Sequence, residues 1–284
     1  MEYTVKRTDD SVLTIQHAIR AGWQHEDLLL ADVHFDSAHC NRKLLKRLLD
    51  EAKAKDSGIF VCGDWADVMQ GRDDRRSDKG ELRKEYKVGH YLDAVCDDSV
   101  TFLEPYRDNI LAIGDGNHET SILRHHETNI LGRVCHALNV PYMGYAGFLK
   151  YMFAYEQNGK KSGMSSIPLW FHHGAGGGGE VTKGVMRAQR EMGPVPDARI
   201  YIGGHIHRSW RVDDRRLKLT QTGKVRTERT LHLCIPTLKD EFNLFGGYHV
   251  EKGRWPRVIG GYWLKFWYSP DSDTNVEFDA HLAI

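Results

Sequence analysis

Residues 27–34 read Asp27-Leu28-Leu29-Leu30-Ala31-Asp32-Val33-His34: a short, mostly apolar run that ends at once in an aspartate and a histidine. The same grammar recurs four more times down the chain. Residues 58–62 (Gly-Ile-Phe-Val-Cys) lead into Gly63-Asp64, and residues 109–113 (Asn-Ile-Leu-Ala-Ile) into Gly114-Asp115-Gly116-Asn117-His118-Glu119. Residues 167–171 (Ile-Pro-Leu-Trp-Phe) lead into His172-His173-Gly174, and residues 199–202 (Arg-Ile-Tyr-Ile) into Gly203-Gly204-His205-Ile206-His207. Short buried strands that stop in polar loops are how open α/β sheets assemble a site along one edge. One instance would be an ordinary turn after a strand; five in succession predict an α/β fold with a site at the strand ends.

Between the first two runs, residues 41–55 carry Leu44, Leu45, Leu48, Leu49 and Ala52 on one face and lysines and arginines on the other, with Asn41 placed to cap. That spacing predicts an amphipathic helix. No internal repeat and no long low-complexity linker interrupts the pattern. From about Leu231 the chain becomes rich in glycine, tryptophan and tyrosine, and residues 260–268 read as strand. We read this part, 231–284, as a second sheet closing the same domain as the motif core, 27–210, so that 1–284 form a single domain.

Lys+Arg and Asp+Glu balance at 39 each among 284 residues, for a net charge of zero. A dedicated nucleic-acid binder usually carries a basic excess, so charge does not point to nucleic acid. The five cysteines are odd in number and form no Cys-x-x-Cys, which argues against a disulfide framework and a thiolate zinc site. No signal segment or membrane helix is recognisable, and a cytoplasmic protein is expected. Histidine is the outlier, with 16 residues, several of them clustered.

The clustered residues define a donor set: Asp32, His34, Asp64, Asn117, His172 or His173, His205 and His207. All are oxygen or imidazole donors, which suits divalent manganese, iron, nickel or zinc. So many protein ligands are too many for one ion that must keep an open position; they suit two ions sharing a carboxylate.

Asp32-x-His34, Gly63-Asp64-x-x-Asp67, Gly116-Asn117-His118-Glu119, a strand-end histidine and Gly204-His205-x-His207, in that order, resemble the calcineurin-like metallophosphoesterases. The motifs span residues 32–207. The resemblance implies a four-layer αββα sandwich with two central mixed sheets. It implies that Asp32, His34 and His207 hold one metal, that Asn117, the strand-end histidine and His205 hold the other, and that Asp64 bridges them. His172 directly follows the strand and is the preferred strand-end ligand, with His173 as the alternative. His118 would serve the leaving group as a proton donor, oriented by the carboxylate of Asp67. The reaction implied is hydrolysis of phosphodiesters, with phosphomonoesters as a second class, by a hydroxide bridging two divalent ions, manganese first. Val68 and Asp115 stand where protein Ser/Thr phosphatases carry arginines, which counts against that activity. The rival readings are a nuclease on DNA or RNA and a non-catalytic metal-binding scaffold. The expected partner is a small phosphate ester, with no membrane, and a homodimer is compatible with the sequence.

Other features have plainer readings. Gly176–Gly179 lacks the Gly-Lys-[Ser/Thr] ending of a nucleotide-binding loop and reads as a loop lining the cleft. The charge run 72–87 is first a solvated segment and second a lid whose Arg72, Arg75 or Arg76 meets substrate phosphate. His125 and His126 read as surface residues, and Trp255, Trp263 and Trp267 as core or interface.

Overall fold

The computed structural model describes residues 3–69, 80–157, 160–187, 190, 193–220, 222–242, 248–272 and 274–284. In chain order the strands are β1 (Tyr3–Asp9), β2 (Val12–Ile19), β3 (Gln24–Leu30), β4 (Ile59–Cys62), β5 (Ile110–Gly114), β6 (Tyr142–Met143), β7 (Ala146–Gln157), β8 (Lys160–His172), β9 (Ile200–Gly203), β10 (Trp210–Leu219), β11 (Val225–Cys234), β12 (Gly261–Tyr268) and β13 (Val276–Ala283). The main helices are α1 (Arg42–Ala54), α2 (Tyr91–Leu103), α3 (Asn117–His126) and α4 (Ile130–Leu138).

Among the described residues, two mixed sheets form the centre. One has six strands in the order β13-β12-β3-β4-β5-β6, and the other has seven, β1-β2-β7-β8-β9-β11-β10. Strands β3, β4, β5 and β6 run parallel, as do β8, β9 and β11. Alternation along the strands splits the apolar residues between two cores. Leu28, Leu30, Ile59 and Val61 face the helices, packing with Leu45 and Leu49 of α1, Val95 of α2 and Val134 of α4. Their neighbours Leu29, Phe60 and Cys62 face the other sheet, meeting Leu149, Leu169, Phe171, Ile200 and Ile202. On the far side of the seven-stranded sheet, Arg187, in a helical turn with Met186, lies close enough to fill the place a Cβ on Gly203 would take.

The predicted helix is α1, and Asn41 Oδ1 accepts the Leu44 amide at 3.0 Å as its cap. Each predicted strand falls within one or two residues of an observed one at its carboxyl end. The reading of the C-terminal part is corrected. β12 and β13 do not build the second sheet; they extend the first, β12 pairing antiparallel with β3. The second sheet is built instead from the N-terminal β1–β2 pair, β7–β9 and the β10–β11 hairpin. Residues 72–79, with Arg72, Arg75 and Arg76, lie outside the described residues, and Lys84–Tyr86 form a short 3-10 turn. Trp263 is buried and Trp255 exposed. No helix among the described residues is long and apolar enough to cross a membrane.

Candidate metal centre

Because β3, β4 and β5 are parallel neighbours in one sheet and β8 and β9 in the other, their carboxyl ends open onto the same edge of the sandwich. The loops leaving them are laced together. The Asp32 amide donates to Gly63 O at 3.1 Å, the His34 amide to Asp64 O at 3.1 Å, and the Gly204 amide to His173 O at 2.8 Å. Thr237, past the end of β11, donates its hydroxyl to Asp32 O at 2.7 Å.

The backbone turns sharply at this edge. Asp32 (φ 50°), His34 (φ 50°), Asp64 (φ 50°), His205 (φ 72°) and His207 (φ 51°) are all left-handed, a conformation that costs a non-glycine residue about 1–2 kcal/mol. Such residues persist only where the surroundings fix them, and here the effect is to swing alternate side chains off the strand direction into one cluster. Two glycines make room. A Cβ on Gly204 would sit 2.2 Å from Asp32 Oδ2. Gly63, with φ 81°, would place one 2.5 Å from both Asp115 O and His173 Nδ1.

Two donor groups result, one of Asp32, His34 and His207 and the other of Asp64, His173 and His205; Asp64 also lies with His34 and His118. His34 Nε2 faces His207 Nε2 at 3.0 Å, and His207 Nε2 lies 3.4 Å from Asp32 Oδ1. His173 Nε2 lies 3.1 Å from Asp64 Oδ2 and 3.3 Å from Asn117 Oδ1, which His205 Nδ1 approaches at 2.6 Å. The sequence candidates Asp32, His34, Asp64, Asn117, His205 and His207 are thus brought together.

Of the two adjacent histidines at the end of β8, the alternative His173 and not the preferred His172 lies in the cluster. Ile167, Leu169 and Phe171 point between the sheets, so the next residue on that side is His173, which is fully buried. His172 lies on the opposite face of β8, and its Nδ1 has no hydrogen-bond partner. The expected role of the Asp67 carboxylate is also corrected. Its Oδ1 accepts from His34 Nδ1 at 2.8 Å and stands 3.6 Å from His118 Nδ1. His118 Nδ1 donates instead to the main-chain carbonyl of Asp67. The remaining nitrogen of His118, Nε2, faces the cluster, 3.8 Å from Asp64 Oδ2.

Electrostatics follow from this crowding. Burial pushes Asp32 up to about 6, with Asp64 adding to the rise and His173 opposing it. Burial would raise Asp64 too, but His173 and His118 hold it well below the carboxylate range. Burial lowers His173, yet the carboxylates of Asp64 and Asp32 lift it to about 10. His207 falls well below its ordinary value through burial, the neighbouring His34 and the guanidinium of Arg257. His118 is lowered, chiefly by burial.

The residues fit a cation. His34 spends Nδ1 on Asp67, and His173 spends Nδ1 on Cys62 O at 2.8 Å. A neutral imidazole so bonded turns an unshared pair at Nε2 inward, toward another nitrogen or a carboxylate oxygen. Unshared pairs facing one another at about 3 Å repel unless something positive lies between them, and the raised value of His173 is the proton's version of that demand.

Three supporting residues were not singled out from the sequence. Glu119, buried, accepts the amides of Asp64 (3.1 Å), Ala66 (2.9 Å) and Gly116 (2.9 Å), clamping the loops after β4 and β5 together. Asp36 accepts the amides of Asp67 and Val68. Lys239 is buried with its ammonium 3.4 Å from Asp67 Oδ1 and 2.8 Å from Glu241 Oε1. Asp36 continues the alternation of Asp32 and His34, a signal the sequence did offer; nothing local marks Lys239. The cluster opens into a cleft of about 460 Å³ whose wall includes Gly176, Gly177, Gly178, Glu180, Lys239, Glu241, Arg254 and Arg257.

No family model matches the chain, and no curated protein matches it. Among solved structures it is similar to a predicted phosphoesterase from Streptococcus pneumoniae, at 10% identity over 93% of this chain and 92% of that one, TM-score 0.35. It is similar to vacuolar protein sorting 29 from Cryptosporidium parvum, at 14% identity over 92% and 99%, TM-score 0.37. Another is GAP50, described as the anchor in the inner membrane complex of Plasmodium, at 10% identity over 92% and 85%, TM-score 0.41.

Proposed function

We propose that this chain is a metal-dependent phosphoesterase of the calcineurin-like kind, acting on phosphodiesters and, second, on phosphomonoesters. The observation that carries the reading is the pair of donor groups meeting around Asp64, with Nε2 of His34 and of His173 turned inward and Nδ1 of each already committed. Asp32, His34 and His207 would hold one divalent cation, and Asn117, His173 and His205 the other, with Asp64 shared. Manganese is the first candidate, followed by iron, nickel and zinc. Two such cations, when bound, supply Lewis acidity toward the phosphoryl oxygens and an activated water at neutral pH.

The chain's own residues do the rest. Asp67 fixes the ring plane and tautomer of His34, and Cys62 O does the same for His173. Glu119 and Asp36 hold the loop amides so that Asp64 and Asp67 keep their places. His118, anchored through Nδ1, presents Nε2 to the cleft. To serve a leaving alkoxide it must take up a proton there, which the negative charge of a phosphate ester favours and burial alone opposes.

The test is hydrolysis of bis-p-nitrophenyl phosphate before and after chelation. Activity that EDTA abolishes and Mn²⁺ restores supports the reading. Full activity in chelator, or no turnover of any mono- or diester with any of the four metals, contradicts it.

A further inference from the structure

The cleft above the donor cluster has an uneven wall. Its acidic members are already engaged: Glu241 with Lys239 at 2.8 Å, and Glu180 with Arg208. Lys239 is further held by Asp67 at 3.4 Å. Arg257 is different. It is partly buried, its Nε is out of contact with solvent and has no hydrogen-bond partner, and its Nη1 has only a long contact, 3.5 Å, to Ile206 O. Among the described residues no carboxylate pairs with it. Burial, Arg208 and Arg254 disfavour its charge, the carboxylates of Glu241 and Glu180 only partly offset them, and it in turn depresses His207.

Keeping a guanidinium half-buried beside other cations is costly unless an anion completes it. The donor cluster itself is not that anion: its carboxylates are engaged by imidazoles and amides. The cleft also carries no Phe, Tyr or Trp among its described lining residues; its rings are the imidazoles of the donor cluster and His118. Its Gly176–Gly178 stretch adds backbone and no side-chain bulk to the wall. The part of the wall formed by Arg254 and Arg257 suits a negative group.

We propose that Arg257, with Arg254 beside it, binds a second anionic group of the substrate, a carboxylate or a further phosphate set apart from the phosphoryl group at the donor cluster. This rests on the phosphoesterase reading for the position of the first phosphoryl group and adds the substrate class: phosphate esters with a second negative charge, preferred over esters that lack one. A guanidinium fork suits a planar carboxylate or a phosphate face better than an ammonium does.

The test compares two phosphonates whose carbon–phosphorus bond cannot be hydrolysed, so binding is read without turnover. Phosphonoacetate carries the second anion; ethylphosphonate lacks it. Calorimetry on the manganese-loaded protein should show phosphonoacetate bound about tenfold more tightly or better, the effect of one or two charge-assisted hydrogen bonds. Arg257→Met, which keeps the apolar stem, should erase that difference while ethylphosphonate stays within about twofold, and Arg257→Lys should keep part of it. Equal binding of the two probes by the wild-type chain, or an equal loss for both in Arg257→Met, overturns the proposal. Chelator-sensitive hydrolysis of bis-p-nitrophenyl phosphate, measured on the same preparation, reports separately on the phosphoesterase reading.

Discussion

His34 Nδ1 and Asp67 Oδ1 are 2.8 Å apart, both buried, and this bond decides which nitrogen of His34 faces the cleft. With Nδ1 committed, Nε2 is left to face His207 and Asp32. Removing the carboxylate frees the ring to rotate or change tautomer. Asp67→Ala should therefore weaken manganese binding by about 10–100-fold, the usual cost of losing such a partner. Calorimetric titration of the metal-free protein with Mn²⁺ checks this; an unchanged affinity would show that Asp67 does not position His34.

His118 calls for a different signature. It faces the cluster but is proposed as a ligand in neither donor group, so His118→Ala should keep the full metal content. Turnover of alkyl phosphodiesters should fall by about 10²–10⁴, as for loss of a general acid. The loss should be much smaller for p-nitrophenyl esters, whose leaving group needs no proton. A uniform loss across leaving groups would remove the acid role.

The two adjacent histidines of β8's end should separate cleanly. His173 is fully buried against Asp64, whereas His172 points to the other face of the sheet. His173→Ala should cost one equivalent of metal and nearly all activity; His172→Ala should leave both close to wild type. Elemental analysis of the two variants decides, and the reverse pattern would restore His172 as the ligand.

Stability of the metal-free protein should fall as pH rises through the neutral range. His173 is lifted from 6.5 to about 10 by Asp64 and Asp32 against the effect of burial. A group whose folded-state value is raised stabilises fully below its unfolded value and loses that contribution as pH climbs to the folded one, here between 6.5 and about 10. Asp32, raised to about 6, acts in the same direction between 3.8 and 6. Melting temperature should thus drop from pH 6.5 to 9.5 without metal and change far less with saturating Mn²⁺, which takes the proton's place. A metal-free melting temperature that rises over that window would contradict the assignment.

Much of this was legible because it is written in the chain as order and alternation. Strand ends at Ala31, Cys62, Ile113 and Ile202 could be read directly, and with them Asp32, Asp64, Asn117 and His205. Adjacency to the strand favours His172 and alternation by itself leaves the pair open; only the observed inward face of Ile167, Leu169 and Phe171 carries on to His173. β1 is not legible because, as an edge strand, its residues from Thr4 to Asp9 are exposed and, Val5 apart, polar, leaving no apolar period. The origin of the second sheet is a matter of pairing: β12 has the same composition whichever sheet it joins, and only its register with β3 settles it. Lys239 and Arg257 reach the cleft from far along the chain, and no local pattern announces such a return.

The central claim is that Asp64 is shared by two cations. The most direct measurement is the manganese content of wild-type and Asp64→Asn protein after equilibration and gel filtration. Two equivalents in the wild-type chain, with both lost or sharply weakened in the variant, is the predicted result. A single equivalent in the wild type, or undiminished metal in Asp64→Asn, would contradict it.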